Sequence, residues 1–193
     1  MSAKQPVVLL LKPPGAHQKL KDLAAAQGWI LAETERKGPG HVFAYKETYT
    51  NPDYSLGLRY IEDDLSGLHY FDVSGDAVDD AVKVLCDNLA IYSEDELLGS
   101  FDQAKTADEA AEAVVRLGVA APVTPNDAWK KRFLEALKHD DPDVREAALV
   151  AMSYRSWKDM KPIFQDVLDH DPAEGPRGRA RVFIDNWDRV PHN

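Results

Sequence analysis

Along the first half of the chain, apolar positions come in short blocks whose period changes. Val7 to Leu11 is an unbroken apolar run closed by Lys12-Pro13-Pro14-Gly15, which reads as a buried strand and a rigid turn. His17 to Gln27 switches to helical spacing, with Leu20, Leu23 and Ala24 inward and Gly28 as its stop. Trp29 to Glu35 returns to a strand, Lys37-Gly38-Pro39-Gly40 to a loop or hairpin turn, and Val42 to Thr48 to a strand with Phe43 and Tyr45 on one face. After a loop near Asn51, Leu56, Leu58 and Tyr60 share a strand face that runs to Ile61. Asp63 to Gly67 turns the chain, and Leu68 to Val73 comes back. Gly75 breaks the strand and Asp76 is placed to cap a helix striped by Val78, Ala81, Val82, Leu85 and Leu89. The order β-α-β-β-β-β-α predicts an α+β domain with a largely antiparallel sheet over residues 1–92.

From residue 93 the period is helical throughout. Ser93-Glu94-Asp95-Glu96 and Thr106-Ala107-Asp108-Glu109 are capping boxes that start two helices, the second ending before Gly118. Ala120-Ala121-Pro122-Val123-Thr124-Pro125 breaks the pattern. Further helices are expected at about 126–139, 142–153, 160–170 and 176–189. Asp141 is a good N-cap, and Pro142 falls at the first helical position, where its missing N–H is no loss.

This half repeats itself. Leu168-Asp169-His170-Asp171-Pro172 echoes Leu137-Lys138-His139-Asp140-Asp141-Pro142, and Phe164, Arg177, Ala180 and Val182 echo Phe133, Arg145, Ala148 and Val150. A weaker earlier copy runs from Glu94 to Val119. The stretch from Leu137 to Leu149 resembles the HEAT-repeat family, whose helical hairpins carry the pattern Leu-x-Asp-x-Pro-x-Val-Arg-x-x-Ala-x-x-Ala/Leu. The resemblance implies a HEAT-like solenoid over residues 93–193, a scaffold for binding another macromolecule. It also implies that Arg145 and Arg177 pair with acidic residues of the turns, Asp140 or Asp171, and tie adjacent units together. No Gly/Ser-rich linker appears near Ser93, so the two halves are expected to form one cooperative unit.

Charge sharpens the picture. Of the 193 residues, 33 are acidic and 23 are Lys or Arg, a net −10 that argues against general nucleic-acid binding. Between Glu62 and Glu112 lie fifteen acidic residues and only Lys83 and Lys105, a net −13 that leaves +3 for the rest. This acidic belt is either a solvated face or a docking surface for a basic partner. On the second reading Asp76, Asp80 and Asp87 are candidate contacts, since they fall on the polar side of their helix. Tyr154, Arg155 and Trp157 form a second candidate patch in a loop between repeat units, because loop aromatics and arginines are typical interface anchors. The absence of a long apolar run predicts no membrane span. With no signal-peptide pattern and a single cysteine, Cys86, a cytoplasmic protein is expected.

Chemistry is sparse. Pro13-Pro14-Gly15 stands where phosphate loops occur but lacks their glycine spacing and lysine-plus-hydroxyl, and reads as a structural turn. Glu62-Asp63-Asp64 with Asp72 lacks the alternating ligands of a cation loop. Cys86 reads as a buried small hydrophobe. His17, His41, His69, His139, His170 and His192 show no metal-ligand spacing, and His139 and His170 are expected to cap helix C-termini. No catalytic, cofactor-binding or metal residue is named. The expectation is a non-catalytic cytoplasmic protein-binding module, of bacterial adaptor or inhibitor type, with no cofactor. The alternative is a ligand-binding or lyase-type enzyme with a cleft between the halves.

Overall fold

In the computed structural model, residues 4–14, 16–38, 43–155 and 157–189 are described. The expected turn at Pro39-Gly40, together with Gly15, His41, Val42, Ser156 and His192, lies outside them. The chain divides into two compact units, Met1–Tyr92 and Ser93–Asn193.

The first unit follows the expected order: β1 (Val7–Leu10), α1 (His17–Gln27), β2 (Ile30–Arg36), β3 (Phe43–Thr50), β4 (Gly57–Asp63), β5 (His69–Ser74) and α2 (Val78–Asn88). The strands form one antiparallel sheet ordered β1-β5-β4-β3-β2, with a bulge in β2 between Leu31 and Glu33. One face carries the core. Leu20 and Ala24 of α1 and Val78, Ala81 and Leu85 of α2 pack with Tyr45, Tyr49, Leu58, Tyr60, Phe71 and Val73 of the sheet. Gly28 closes α1 in the left-handed conformation at φ 69°, as a C-terminal glycine does. Two expectations fail here. Asp76 does not cap α2, whose N-cap is Ala77 with no side-chain cap bond, so the helix begins one residue late for it. Cys86 is exposed, because it falls one position off the buried stripe that ends in Leu85 and Leu89.

The second unit is helical: α3 (Glu94–Gln103), α4 (Ala107–Ala120), α5 (Asp127–Ala136), α6 (Pro142–Ser153), α7 (Lys161–His170) and α8 (Glu174–Asn186). Ser93 forms a full capping box with Glu96. At Thr106 only half the box forms: Thr106 caps Glu109, but the Glu109 carboxylate takes the Lys105 amide at 2.6 Å. Asp141 caps α6, accepting from Asp143 N at 2.9 Å, with Pro142 in the first turn. Within this unit α3 packs on α4, α5 on α6 and α7 on α8, while α4 meets α6 and α6 meets α8. Gly118 does not end α4. It lies inside the helix, buried, where a Cβ would stand 2.4 Å from the Ala151 Cα of α6, so only glycine lets the two backbones come this close. None of the described helices is long and apolar enough to cross a membrane.

Candidate functional site

The most concentrated chemistry in the first unit stands at the start of α1, over β3, β4 and β5. Strand alternation at period two puts Tyr45, Glu47 and Tyr49 of β3 on the helix-covered face. Glu47 is therefore buried, at 1% exposure, in the middle of a core face. A carboxylate there costs several kcal/mol unless its oxygens are satisfied. They are: Tyr45 Oη donates to Oε1, Tyr49 Oη donates to Oε2 at 2.7 Å, and Lys21 Nζ lies 3.6 Å from Oε1. The His17 Nε2, itself fully buried, approaches Oε2 to 2.9 Å as an ion-pair contact outside the angular range of an aligned hydrogen bond. Burial alone would push the Glu47 carboxyl up. The two tyrosine hydroxyls and the neighbouring imidazole outweigh burial and hold it below its ordinary value. Burial first, then the carboxylate, raises the Tyr45 and Tyr49 phenols, so both remain donors.

His17 is thereby fixed in place. Its ring stacks on Tyr60 with centroids 5.0 Å apart and planes 4° from parallel, and stands edge-on to Tyr45 at 5.3 Å. Tyr60, on β4, continues the network. Its hydroxyl donates to Glu62 Oε1 at 3.0 Å and lies 3.1 Å from His69 Nδ1. A phenol has one proton to give, so His69 Nδ1–H donates to the Tyr60 oxygen. The same bookkeeping places a proton on His17 Nε2, which faces a carboxylate oxygen. Each imidazole thus has one nitrogen committed to the network and the other, Nδ1 of His17 and Nε2 of His69, left for other partners. A pocket of about 350 Å³ opens beside them, lined by Pro14, Ala16, His17, Gln18, Lys19, Tyr60, Glu62 and His69. Among the described residues no group of three or more His, Cys, Asp or Glu is arranged to hold a metal ion.

None of the residues singled out from the sequence as partner contacts belongs to this pocket. Asp76, Asp80 and Asp87 are exposed on or beside α2, and Asp87 is paired with Lys83. The second patch is corrected at Trp157. Trp157 is fully buried, its indole N–H shared by the carbonyls of Pro122 at 3.2 Å and Val123 at 3.1 Å. Arg155 donates to the carbonyls of Val119, at 2.9 Å, and Ala121, and Tyr154 is partly buried beside it. Trp157 and Arg155 between them close the carbonyls left open at the end of α4 and just after it. Trp157 is therefore a packing residue and no exposed anchor, and Arg155 is committed to backbone carbonyls.

The repeat arginines are placed by the turns. Arg145, 8% exposed, donates to both Asp171 oxygens at 2.8 Å and to the carbonyls of His139 and Asp140 at 2.8 and 2.9 Å. Arg177 donates to the Asp171 carbonyl at 2.6 Å, six residues back, as Arg145 does to His139. Its carboxylate partner is Glu174 of its own helix. His170 contacts the Asp166 carbonyl near the end of α7. His139 does not cap α5: its Nδ1 accepts from the Asp141 amide at 3.1 Å.

Comparison of the chain with protein-family profiles, with curated proteins and with solved structures returns no match.

Proposed function

We propose that the protein is a non-catalytic protein-binding module of adaptor or inhibitor type, in which residues 93–193 form a short HEAT-like solenoid. The observation that carries this reading is the two-turn clamp of Arg145. One side chain binds its own turn through two carbonyls and the next turn through a bidentate pair with Asp171. Ties of this kind between successive hairpins are what a stacked-repeat scaffold needs, since each hairpin can bury its apolar face only against its neighbours. The serial contacts of α4, α6 and α8 support the same reading. The partner is a basic protein, attracted by the acidic stretch that includes Asp76, Asp80 and Asp87.

The test is a pull-down with the full chain at low and high salt, wild type beside the triple variant D76N/D80N/D87N. Recovery of one partner that falls with salt and with the triple variant supports the reading. Equal recovery in all four lanes rules out the acidic surface as the docking element. A second reading, small-ligand binding, is favoured by the pocket beside His17 and His69.

A further inference from the structure

We propose that the pocket of the first unit captures a small oxyanion, a sulfate- or phosphate-type group or a carboxylate, between the imidazoles of His17 and His69, and that capture is coupled to proton uptake. The inference is independent of the protein-binding reading and starts from the network behind the pocket. Glu47 is buried and its oxygens are occupied by Tyr45, Tyr49, His17 and Lys21, so it orients His17 and is not itself offered to a ligand. Glu62 fixes His69 in the same way through the Tyr60 hydroxyl. Two separate carboxylates, one direct and one through a phenol, thus hold the two histidines with one nitrogen each uncommitted. Both imidazoles line one pocket of about 350 Å³, large enough for a small molecule with its hydration shell displaced.

The charge on the wall decides the class of ligand. Among the described residues lining the pocket, Lys19 and Glu62 are the permanently charged ones, and they cancel. Neutral imidazoles leave the wall uncharged. Protonation of both gives it a charge of plus two, with N–H groups on each ring as donors. The groups facing these rings are Glu47 and Tyr45 from β3, Tyr60 and Glu62 from β4, and Lys19 and Lys21 from α1 itself. Each committed nitrogen faces a carboxylate or a phenol, so a proton arriving at the other nitrogen makes an imidazolium already paired from behind and available to an anion in front. An anion and a proton then bind the same two rings, and each must favour the other. This is unlike a nucleotide loop, since the donors are side chains and no glycine-rich backbone is involved.

The test uses the full chain and two probes whose charge hardly changes over the range, inorganic sulfate and acetate. Imidazole and backbone signals of His17 and His69 are followed by NMR titration at pH 5.5 and pH 8. The expected result is saturable perturbation of both histidines by at least one probe at pH 5.5, weakening about tenfold or more at pH 8. The probe that binds more tightly separates a tetrahedral from a planar oxyanion. H17Q and H69Q should each lower affinity about tenfold or more. K19Q, an exposed position that leaves the fold untouched, should lower it several-fold, so the proposal stays testable even if a histidine variant unfolds. Absence of saturation by either probe at pH 5.5, equal affinity at the two pH values, or undiminished affinity in K19Q and both histidine variants would overturn it.

Discussion

Arg145 and Asp171, 26 residues apart, face each other through two parallel N–H···O bonds of 2.8 Å, with side chains only 9% and 6% exposed. The same carboxylate accepts the Ala173 amide at 2.9 Å, at the start of α8. One acidic side chain therefore satisfies a buried guanidinium of α6 and a backbone donor at the start of α8.

Removing half of this pair leaves the other half buried and unpaired, which typically costs about 3–5 kcal/mol. Asp171→Asn is expected to destabilise the second unit by an amount in that range, measured by urea denaturation. Arg145 holds Asp171 below its ordinary value, chiefly through the direct hydrogen bonds. A carboxyl depressed in the folded state contributes its stability above its unfolded value and loses it as the pH falls through the folded one. The wild-type midpoint should therefore drop as the pH goes below about 4, and Asp171→Asn should flatten that drop.

Gly118→Ala places a methyl 2.4 Å from the Ala151 Cα and 2.5 Å from its carbonyl oxygen. Neither atom is the end of a flexible side chain, so α4 and α6 must separate, and a loss of about 3 kcal/mol or more is expected from overpacking of this kind. Gly178→Ala, in α8, meets nothing within 4 Å and should instead stabilise by about 0.5–1 kcal/mol through helix propensity. Thermal unfolding of the two variants side by side checks the contrast. Ala148, with 0% exposure, gives a third point: Ala148→Asp should collapse the helical unit.

Glu47→Gln keeps the shape of the buried acceptor but offers one oxygen where two served, stranding a tyrosine hydroxyl. The expected loss is about 1–3 kcal/mol. Tyr49→Phe removes the stranded donor, so the double variant E47Q/Y49F should be more stable than the sum of the single losses predicts. Additive losses in a double-mutant cycle would show that Tyr49 and Glu47 are not coupled.

Trp157→Ala should cost about 3–5 kcal/mol, the range for emptying a buried aromatic site. Trp157→Phe fills most of the space but leaves the Pro122 and Val123 carbonyls without the indole N–H, a smaller loss of about 1–3 kcal/mol. Folded Trp157→Phe should recover the same partner as wild type in the pull-down, because the indole is internal.

Local rules made most elements of both units readable. Ser93 and Glu96, Asp141 and Pro142, and Gly28 each announce a helix end through groups a few residues apart, and the structure uses all of them. The pocket was not readable in that way. His17 and His69 stand on different elements that only the sheet order brings together. A signal did exist for Glu47: a glutamate flanked two residues on either side by Tyr45 and Tyr49 must share their face, and a face with two tyrosines tends to be inward. Trp157 misled for the opposite reason. Its loop is polar in composition, yet the carbonyls it satisfies lie 34 and 35 residues back, beyond any local pattern.

Strand β2 closes the sheet order, with β3 on one side and no further described strand on the other, and Ile30 and Leu31 are exposed on it. An open row of peptide groups beside exposed aliphatic side chains is a seed for intermolecular sheet growth. Here the seed is blunted within seven residues, by the bulge after Leu31 and by the charges of Glu33, Glu35 and Arg36. Arg36 serves twice, since its guanidinium also lies 5.1 Å from the centre of the Tyr45 ring beside Glu47. Neutralising Glu33, Glu35 and Arg36 together would leave only the bulge to guard this border, and association between copies should then rise with protein concentration.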